Sequence, residues 1–212
     1  MLGLLCALNL FSCIGSRMLS DPTLVIQTRG GTELGVSTDY GLVFLGHTAR
    51  SGEVTVKAWY GDGPNLEETV IEPLGGGLYT GEIEIRLPSV PVTFVDLHEG
   101  DRVTVRGRMG DRVWTRRMEV ITDPRVYGLL LDPGALELND DQIGAGVFWL
   151  PTGDIKNMRL VGLISGRLEL QTSDGTVRKF LTVKGPEDLW KLVTYRRDDR
   201  RKKSRVKRED IQ

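Results

Sequence analysis

A two-residue alternation of apolar and polar side chains, from Thr23 to about Thr122, constrains the fold most. In residues 82–87, for example, Glu, Ile, Glu, Ile, Arg and Leu follow one another. Since neighbouring side chains of a strand point to opposite faces, this pattern predicts half-buried strands with one wet face. Glycine-rich turn signals separate the predicted strands, which lie at 23–28, 34–46, 53–60, 68–73, 78–87, 101–109 and 112–121. Short strands at this spacing favour an all-β sandwich.

Three segments of this region resemble the immunoglobulin-like modules of bacterial surface and envelope proteins. They are Gly-Glu-Val-Thr-Val-Lys-Ala-Trp at 52–59, Tyr-Thr-Gly-Glu-Ile at 79–83 and Glu-Gly-Asp-Arg-Val-Thr-Val at 99–105. The Cys…Trp…Cys hallmark and the tyrosine corner of antibody domains are absent from the sequence. The resemblance implies an Ig-like β-sandwich over residues 23–123 that serves as a binding, spacer or packing module.

A second, smaller unit is predicted after Asp123-Pro124, over residues 124–195. Its predicted strands lie at 126–131, 143–150, 158–164, 167–172 and 176–183. Pro186, followed by Glu187 and Asp188, is typical of a helix start, because proline fits the first helical position and acids suit the first turn. The sequence therefore predicts a mainly β chain whose second domain is β-rich and ends in a helix.

The N-terminal residues 1–22 are predicted to be a signal and a linker. Residues 1–13 carry no charge, and an apolar run of this length fits the central region of an export signal. The run ends in Leu10-Phe11-Ser12-Cys13, which resembles the lipobox of bacterial lipoproteins. The resemblance implies that Cys13 is lipidated and anchors an exported protein to a membrane of the bacterial cell envelope. The alternatives are a cleaved signal without lipid, an uncleaved anchor, or an apolar segment that docks on the body.

Cysteine usage limits the chemistry of the chain. Cys6 and Cys13 are its two cysteines, and both lie in the predicted signal. If Cys13 is lipidated, the mature body contains no thiol, which excludes disulfides, cysteine metal sites and cysteine nucleophiles there.

The C-terminal residues 196–212 form a predicted basic tail on an otherwise acidic body. The whole chain has 28 Lys and Arg against 29 Asp and Glu. Nine of these basic residues are concentrated in the tail: Arg196, Arg197, Arg200, Arg201, Lys202, Lys203, Arg205, Lys207 and Arg208. Opposite charges four residues apart would let the terminal helix continue through the tail. Three interpretations stay open: a solubilising extension, a segment that binds anionic lipid, or, in a cytosolic protein, a nucleic-acid-binding segment.

Catalytic motifs are absent from the sequence. It contains no G-x-S-x-G, H-E-x-x-H, P-loop or paired C-x-x-C. His47 and His98 each stand alone in their segments, which favours surface residues over metal ligands. No metal and no cofactor are predicted.

Acidic residues between Asp132 and Asp141 support an alternative. Asp132, Asp140 and Asp141 could supply paired carboxylates to a hydrolase or carbohydrate-acting enzyme, with one as acid and one as base. Their spacing does not match an EF-hand calcium loop, and short Asn/Asp runs commonly form turns.

Four side chains of the predicted sandwich are candidate contacts for a ligand or partner. By alternation, Arg102, Arg106 and Arg108 share the wet face of one strand and could bind an anionic polymer or pair with acids across the strands. Trp59 falls on the polar face of its strand, as an exposed aromatic contact would. Trp149 and Trp190 lie in apolar settings and are predicted to be core residues.

The sequence thus predicts a non-enzymatic envelope lipoprotein that acts as a binding or scaffolding module. Its expected partners are the membrane, through Cys13, and an anionic polymer, anionic lipid or envelope protein. The alternatives are the hydrolase built on the acids of the second domain and a cytosolic nucleic-acid binder that uses the basic tail.

Overall fold

The structure, a computed structural model, describes residues 21–28, 30–47, 53–60, 63–83, 87–135, 142–172 and 174–209. Within these ranges the chain forms twelve β-strands and one α-helix, so the prediction of a mainly β chain with a C-terminal helix is confirmed. The strands of the first half are β1 (Thr23–Thr28), β2 (Gly31–Thr38), β3 (Gly41–Phe44), β4 (Glu53–Tyr60), β5 (Gly63–Gly75) and β6 (Leu78–Gly81). Those of the second half are β7 (Arg102–Met109), β8 (Arg112–Ile121), β9 (Leu129–Asp132), β10 (Gly146–Trp149), β11 (Arg159–Gln171) and β12 (Val177–Lys184), followed by helix α1 (Pro186–Glu209).

The first six strands form a closed antiparallel barrel in the order β1-β2-β3-β6-β5-β4. The barrel closes where β1 pairs with β4, with Val25 opposite Lys57. The alternation explains its interior, because every second side chain points inward. The buried cluster consists of Leu24, Ile26, Leu42, Phe44, Val54, Val56 and Ile71.

The last six strands form a second closed barrel in the order β10-β11-β12-β9-β8-β7. Counted within each barrel, this is the strand order of the first barrel again. Pairing of β7 with β10 closes the second barrel, with Val105 opposite Val147. The chain therefore contains a structural repeat that its sequence does not reveal.

Closure of both sheets shows that the predicted immunoglobulin-like sandwich is wrong. Alternation reports that one face of each strand is buried, but it does not report which strands are neighbours. The β1–β4 pairing turns the first sheet onto itself, while β7 and β8 belong to the second barrel. The boundary expected at Asp123-Pro124 lies between β8 and β9, inside the second barrel, whereas the first barrel ends with β6 at Gly81 and the second begins with β7 at Arg102.

The two barrels and helix α1 share one buried apolar interface, here called the inter-barrel cluster. Its buried members are Val36, Val43, Leu45, Leu78, Val90, Phe148, Met158, Leu160, Leu163, Leu189 and Leu192. Side chains from both barrels and from α1 contribute to it, so the three parts exclude water from a common core. Among the described residues, no helix has both the length and the apolar character needed to cross a membrane.

Candidate functional site

His47 lies at an exposed position just after β3, at the edge of the inter-barrel cluster. Leu45, two residues earlier, is buried in that cluster. Gly46, between them, has a φ of +63°, and a Cβ there would lie 2.1 Å from the Tyr79 ring. Only glycine tolerates both the backbone conformation and this close approach. The local sequence Leu45-Gly46-His47 therefore turns the imidazole out of the barrel.

The second barrel reaches the same interface with the end of its β9–β10 connection. Ile143 packs against the inter-barrel cluster that contains Leu45. Gly144 has a φ of +84°, and a Cβ there would lie 2.6 Å from the backbone oxygen of Leu34 in the first barrel. The segment after β3 that carries His47 and the end of this connection thus border one interface between the barrels.

At this interface, here called the His47 junction, the described residues supply the imidazole of His47 as a base but no catalytic side chain bonded to it. No other described residue forms a hydrogen bond or ion pair with His47. The β9–β10 connection, residues 133–145, contains no Ser, Thr or Cys, and the β5–β6 turn is Gly75-Gly76-Gly77, which carries no side-chain functional group. Among the described residues, the chemistry available at this point is therefore that of an exposed imidazole, which can accept or donate a proton.

A concavity, here called the linker groove, lies on the second barrel away from the His47 junction. Its volume is about 980 Å³, and it is bordered by the inter-barrel segment 94–97, the ends of β8 and β12, the start of β9 and the first turn of α1. Leu129, at the start of β9, lines the groove, whereas the β9–β10 connection begins after Asp132, at the other end of that strand. The linker groove and the His47 junction are therefore separate places in the fold.

Aromatic and hydroxyl side chains line the linker groove. The rings of Phe94 and Trp190 meet edge to face, with centroids 5.2 Å apart. The Tyr127 hydroxyl donates to Glu187 Oε2 at 2.8 Å, and this hydrogen bond to a carboxylate raises the pKa of Tyr127. Trp190 is 52% exposed, so its prediction as a core residue is wrong. Phe94 and Trp190 are far apart in the sequence, and no sequence signal pairs them.

The predicted arginine strip is divided by the contact between the barrels. Arg102 is exposed, as expected, but Arg106 and Arg108 are largely buried because β7 packs against the start of β1. Arg106 donates to Asp21 Oδ2 at 2.9 Å, and Arg108 donates to the Thr23 carbonyl at 3.1 Å. Burial lowers the pKa of Arg108. The prediction of a continuous solvent-exposed face is wrong for these two arginines. Their contacts with Asp21 and Thr23 join the two barrels and are here called the arginine clamp.

The basic tail begins inside α1, and its first arginine is part of the folded body. The backbone stays helical through Glu209, whereas the side chains from Arg200 to Arg208 lie outside the described residues. Arg196 donates to the carbonyls of Tyr40 and Gly81, at 2.7 and 3.1 Å, and to Glu82 at 2.9 Å. Arg197 is exposed beside Asp198. Arg196 therefore acts as a structural contact of the first barrel.

The other predicted site residues do not converge. Asp132 pairs with Arg178, while Asp140 and Asp141 lie outside the described residues. His98 is exposed between Asp96 and Asp101, at 3.9 Å from each. No group of described side chains could hold a metal ion. Cys13 and the Trp59 side chain also lie outside the described part of the chain.

Solved structures that align with this chain include serine protease domains. The MamO protease domain from Magnetospirillum magneticum aligns with a TM-score of 0.55 and 16% identity, over 84% of this chain and 97% of that one. A human astrovirus serine protease aligns with a TM-score of 0.53 and 17% identity, over 79% and 91%. A serine endoprotease from Yersinia pestis aligns with a TM-score of 0.52 and 15% identity, over 77% and 59%. No protein-family model and no curated protein sequence matches the chain.

These similarities establish the double-barrel fold of serine protease domains, and at such low identity they establish the fold alone. They also correct the functional prediction. The non-enzymatic binding or scaffolding module was inferred from the lipobox-like N-terminus, the absence of catalytic motifs and the immunoglobulin-like resemblance, and the alignment with protease domains speaks against it. Fold does not determine chemistry, so the activity has to be argued from the site.

Proposed function

We propose that the protein is a peptidase that hydrolyses polypeptides at the junction of its two barrels, with His47 as the general base. The observation that carries the proposal is the exposed imidazole at this junction, held there by Gly46 against Tyr79. In double-barrel serine proteases the triad follows the chain order His, Asp, Ser. His47 is the first histidine of this chain and lies in the first barrel, as that order requires.

The chemistry assigned to His47 is proton transfer. In a serine protease the imidazole removes the hydroxyl proton as the oxygen attacks the scissile carbonyl, and it later protonates the leaving amine. No described hydroxyl forms a hydrogen bond with His47, so the nucleophile of this step is a serine or threonine hydroxyl of the chain that reaches His47 when substrate is bound, gives it the proton and forms the acyl bond as the amine leaves. Catalytic hydrogen bonds often tighten only when substrate is bound.

The test is hydrolysis of a mixed peptide library by the full chain, followed by mass spectrometry. His47→Gln is compared with His98→Gln, which changes the other exposed histidine. We expect His47→Gln to lose about 10²–10⁴-fold in rate, the usual contribution of a general base, and His98→Gln to retain activity. A fluorophosphonate probe, with the labelled residue mapped by mass spectrometry, identifies the nucleophile. Absence of cleavage by the folded wild-type chain, or equal cleavage by His47→Gln, contradicts the proposal.

We also propose that Cys13 attaches the protein to a membrane of the bacterial cell envelope. The support is the lipobox-like Leu10-Phe11-Ser12-Cys13. Expression in a bacterial host should give a membrane-bound product that begins at Cys13 and carries added acyl mass. Cys13→Ala should abolish both properties. A soluble product that still begins at Met1 is incompatible with this anchor.

A further inference from the structure

The inter-barrel segment 94–97 has alternating side-chain burial and backbone groups without hydrogen bonds to the described chain. Its side chains alternate: Phe94 and Asp96 are exposed, whereas Val95 and Leu97 pack on the core of the second barrel. Before it, the Thr93 amide bonds the Leu160 carbonyl at 2.9 Å. From Phe94 to Leu97, the backbone forms no hydrogen bond with the rest of the described chain. Backbone groups of this kind are a template for pairing with an extended segment.

Exposed aromatic side chains lie beside this segment. Phe94 is 44% exposed, Trp190 is 52% exposed and Tyr127 is 90% exposed. All three line the linker groove. Large apolar side chains gathered around a concavity mark binding surfaces, because covering them removes apolar area from water. The linker groove therefore offers side-chain pockets next to these backbone groups.

Charge at the linker groove favours a cationic ligand. Asp96 and Glu187 are exposed carboxylates on its border, and Asp188 also lines it but pairs with Lys191 at 2.9 Å. Lys184, which is half-buried, is the cation among the lining residues. Carboxylates thus outnumber cations around the aromatic pair, and a lysine or arginine side chain would be complementary to this border.

We infer that the linker groove binds an extended polypeptide segment by strand addition. The segment pairs its backbone with residues 94–97, packs an aromatic or aliphatic side chain against Phe94 and Trp190, and presents a lysine or arginine to Asp96 and Glu187. In strand addition, backbone hydrogen bonds give affinity and the side-chain pockets give specificity. This site lies at the other end of β9 from the β9–β10 connection and stands whether or not His47 supports hydrolysis.

The experiment measures fluorescence anisotropy of a labelled ten-residue peptide with alternating valine and phenylalanine in its centre and two arginines at each end. Trp190→Ala and Phe94→Ser should each weaken binding by at least about tenfold, as expected for central aromatic contacts. Asp96→Asn should weaken binding less, and its effect should shrink with added salt because the residue is exposed. Leu66→Ala is the matched control, since Leu66 is 62% exposed on the first barrel, and it should leave binding unchanged.

A second peptide separates strand addition from simple apolar adsorption. It has the same sequence with alternate backbone nitrogens methylated, which removes hydrogen-bond donors and keeps the side chains. Loss of binding by this peptide supports the inference. Equal binding by it, or equal binding by a Trp190→Ala variant with unchanged melting temperature, overturns the inference. A dimer in sedimentation that is lost in Trp190→Ala would also overturn it, by identifying a second copy of the chain as the occupant.

The same peptide distinguishes this inference from the proposed peptidase activity. His47→Gln should bind it as the wild type does, because the linker groove is separate from the His47 junction. Loss of hydrolysis with binding retained leaves the inference intact. Loss of binding in His47→Gln, with the fold preserved, contradicts the separation of the two sites.

Discussion

The two barrels share a strand order but differ in how they are sealed. In the second barrel, β9 and β12 are joined by three register pairs, from Leu129 opposite Val183 to Leu131 opposite Leu181. The equivalent seam of the first barrel, between β3 and β6, has a single register pair, Phe44 opposite Tyr79. The same topology therefore leaves the first barrel with fewer hydrogen bonds of its own at this seam.

Side chains supplement the weaker seam. Thr80 Oγ1 donates to the Leu42 carbonyl at 2.7 Å. Arg196, from the helix that follows the second barrel, bridges the carbonyls of Tyr40 and Gly81 on the two sides of the seam. Because Gly46 packs against Tyr79 at this same seam, the terminal helix contributes to the support of His47. The first barrel therefore depends on a contact supplied from outside it.

The largest loss of stability is expected from a substitution in the inter-barrel cluster, which both barrels share. Phe148 is fully buried in the inter-barrel cluster. Phe148→Ala should lower the free energy of unfolding by about 3–5 kcal/mol, since it removes apolar contacts and leaves a cavity. Urea unfolding followed by tryptophan fluorescence measures this loss. A loss below about 1 kcal/mol would mean that the barrels do not share this core.

The next largest loss of stability is expected at the arginine clamp between the start of β1 and β7. Asp21 is 7% exposed and accepts hydrogen bonds from Thr23 and Arg106. Asp21→Asn should lower the free energy of unfolding by about 2–4 kcal/mol, because it leaves Arg106 and Arg108 buried without their carboxylate. Urea unfolding checks the loss, and Asp39→Asn, at an exposed carboxylate of the first barrel, is its control. Equal losses in the two variants would argue against a clamp.

A smaller and local effect is expected from Arg196→Ala. Loss of its bonds to Tyr40 and Gly81 should cost about 1–2 kcal/mol and increase amide exchange in residues 41–47 and 78–81. Exchange in the second-barrel strands should stay unchanged. Arg197→Ala, which alters the exposed neighbouring arginine, is the matched control. Uniform exchange across both barrels in Arg196→Ala would contradict selective support of the first.

The smallest effect concerns the pH dependence of the second barrel. Arg125 holds Asp123 through two side-chain hydrogen bonds, at 2.9 and 2.7 Å, and lowers the pKa of Asp123 from its ordinary 3.8 to about 2. Because the folded-state pKa lies below the ordinary value, this stabilisation is complete above about pH 4 and is lost as the pH falls toward 2. The difference in melting temperature between wild type and Asp123→Asn should therefore shrink over that range. A difference that stays constant from pH 5 to pH 2 would exclude this linkage.

Local sequence patterns located many of the strands. The predicted strand at 53–60 coincides with β4, the one at 112–121 coincides with β8, and the helix begins at Pro186 as expected. These features were accessible because alternation, turn glycines and helix-start residues are local properties of the chain. The N-terminal prediction at Cys13 is of the same local kind and awaits its own test.

Strand pairing, and with it the fold and the position of the sites, depends on contacts between distant segments. Period-two burial is equally compatible with a sandwich and a barrel, so closure through β1–β4 and β7–β10 depends on long-range pairing. The same holds for side chains: alternation assigned Arg106 and Arg108 to a wet face, and packing of the barrels against each other buried them. Phe94 and Trp190 meet only because the inter-barrel segment and α1 converge on the second barrel. Local patterns report which face of a strand avoids water, whereas contacts between distant segments decide what covers that face.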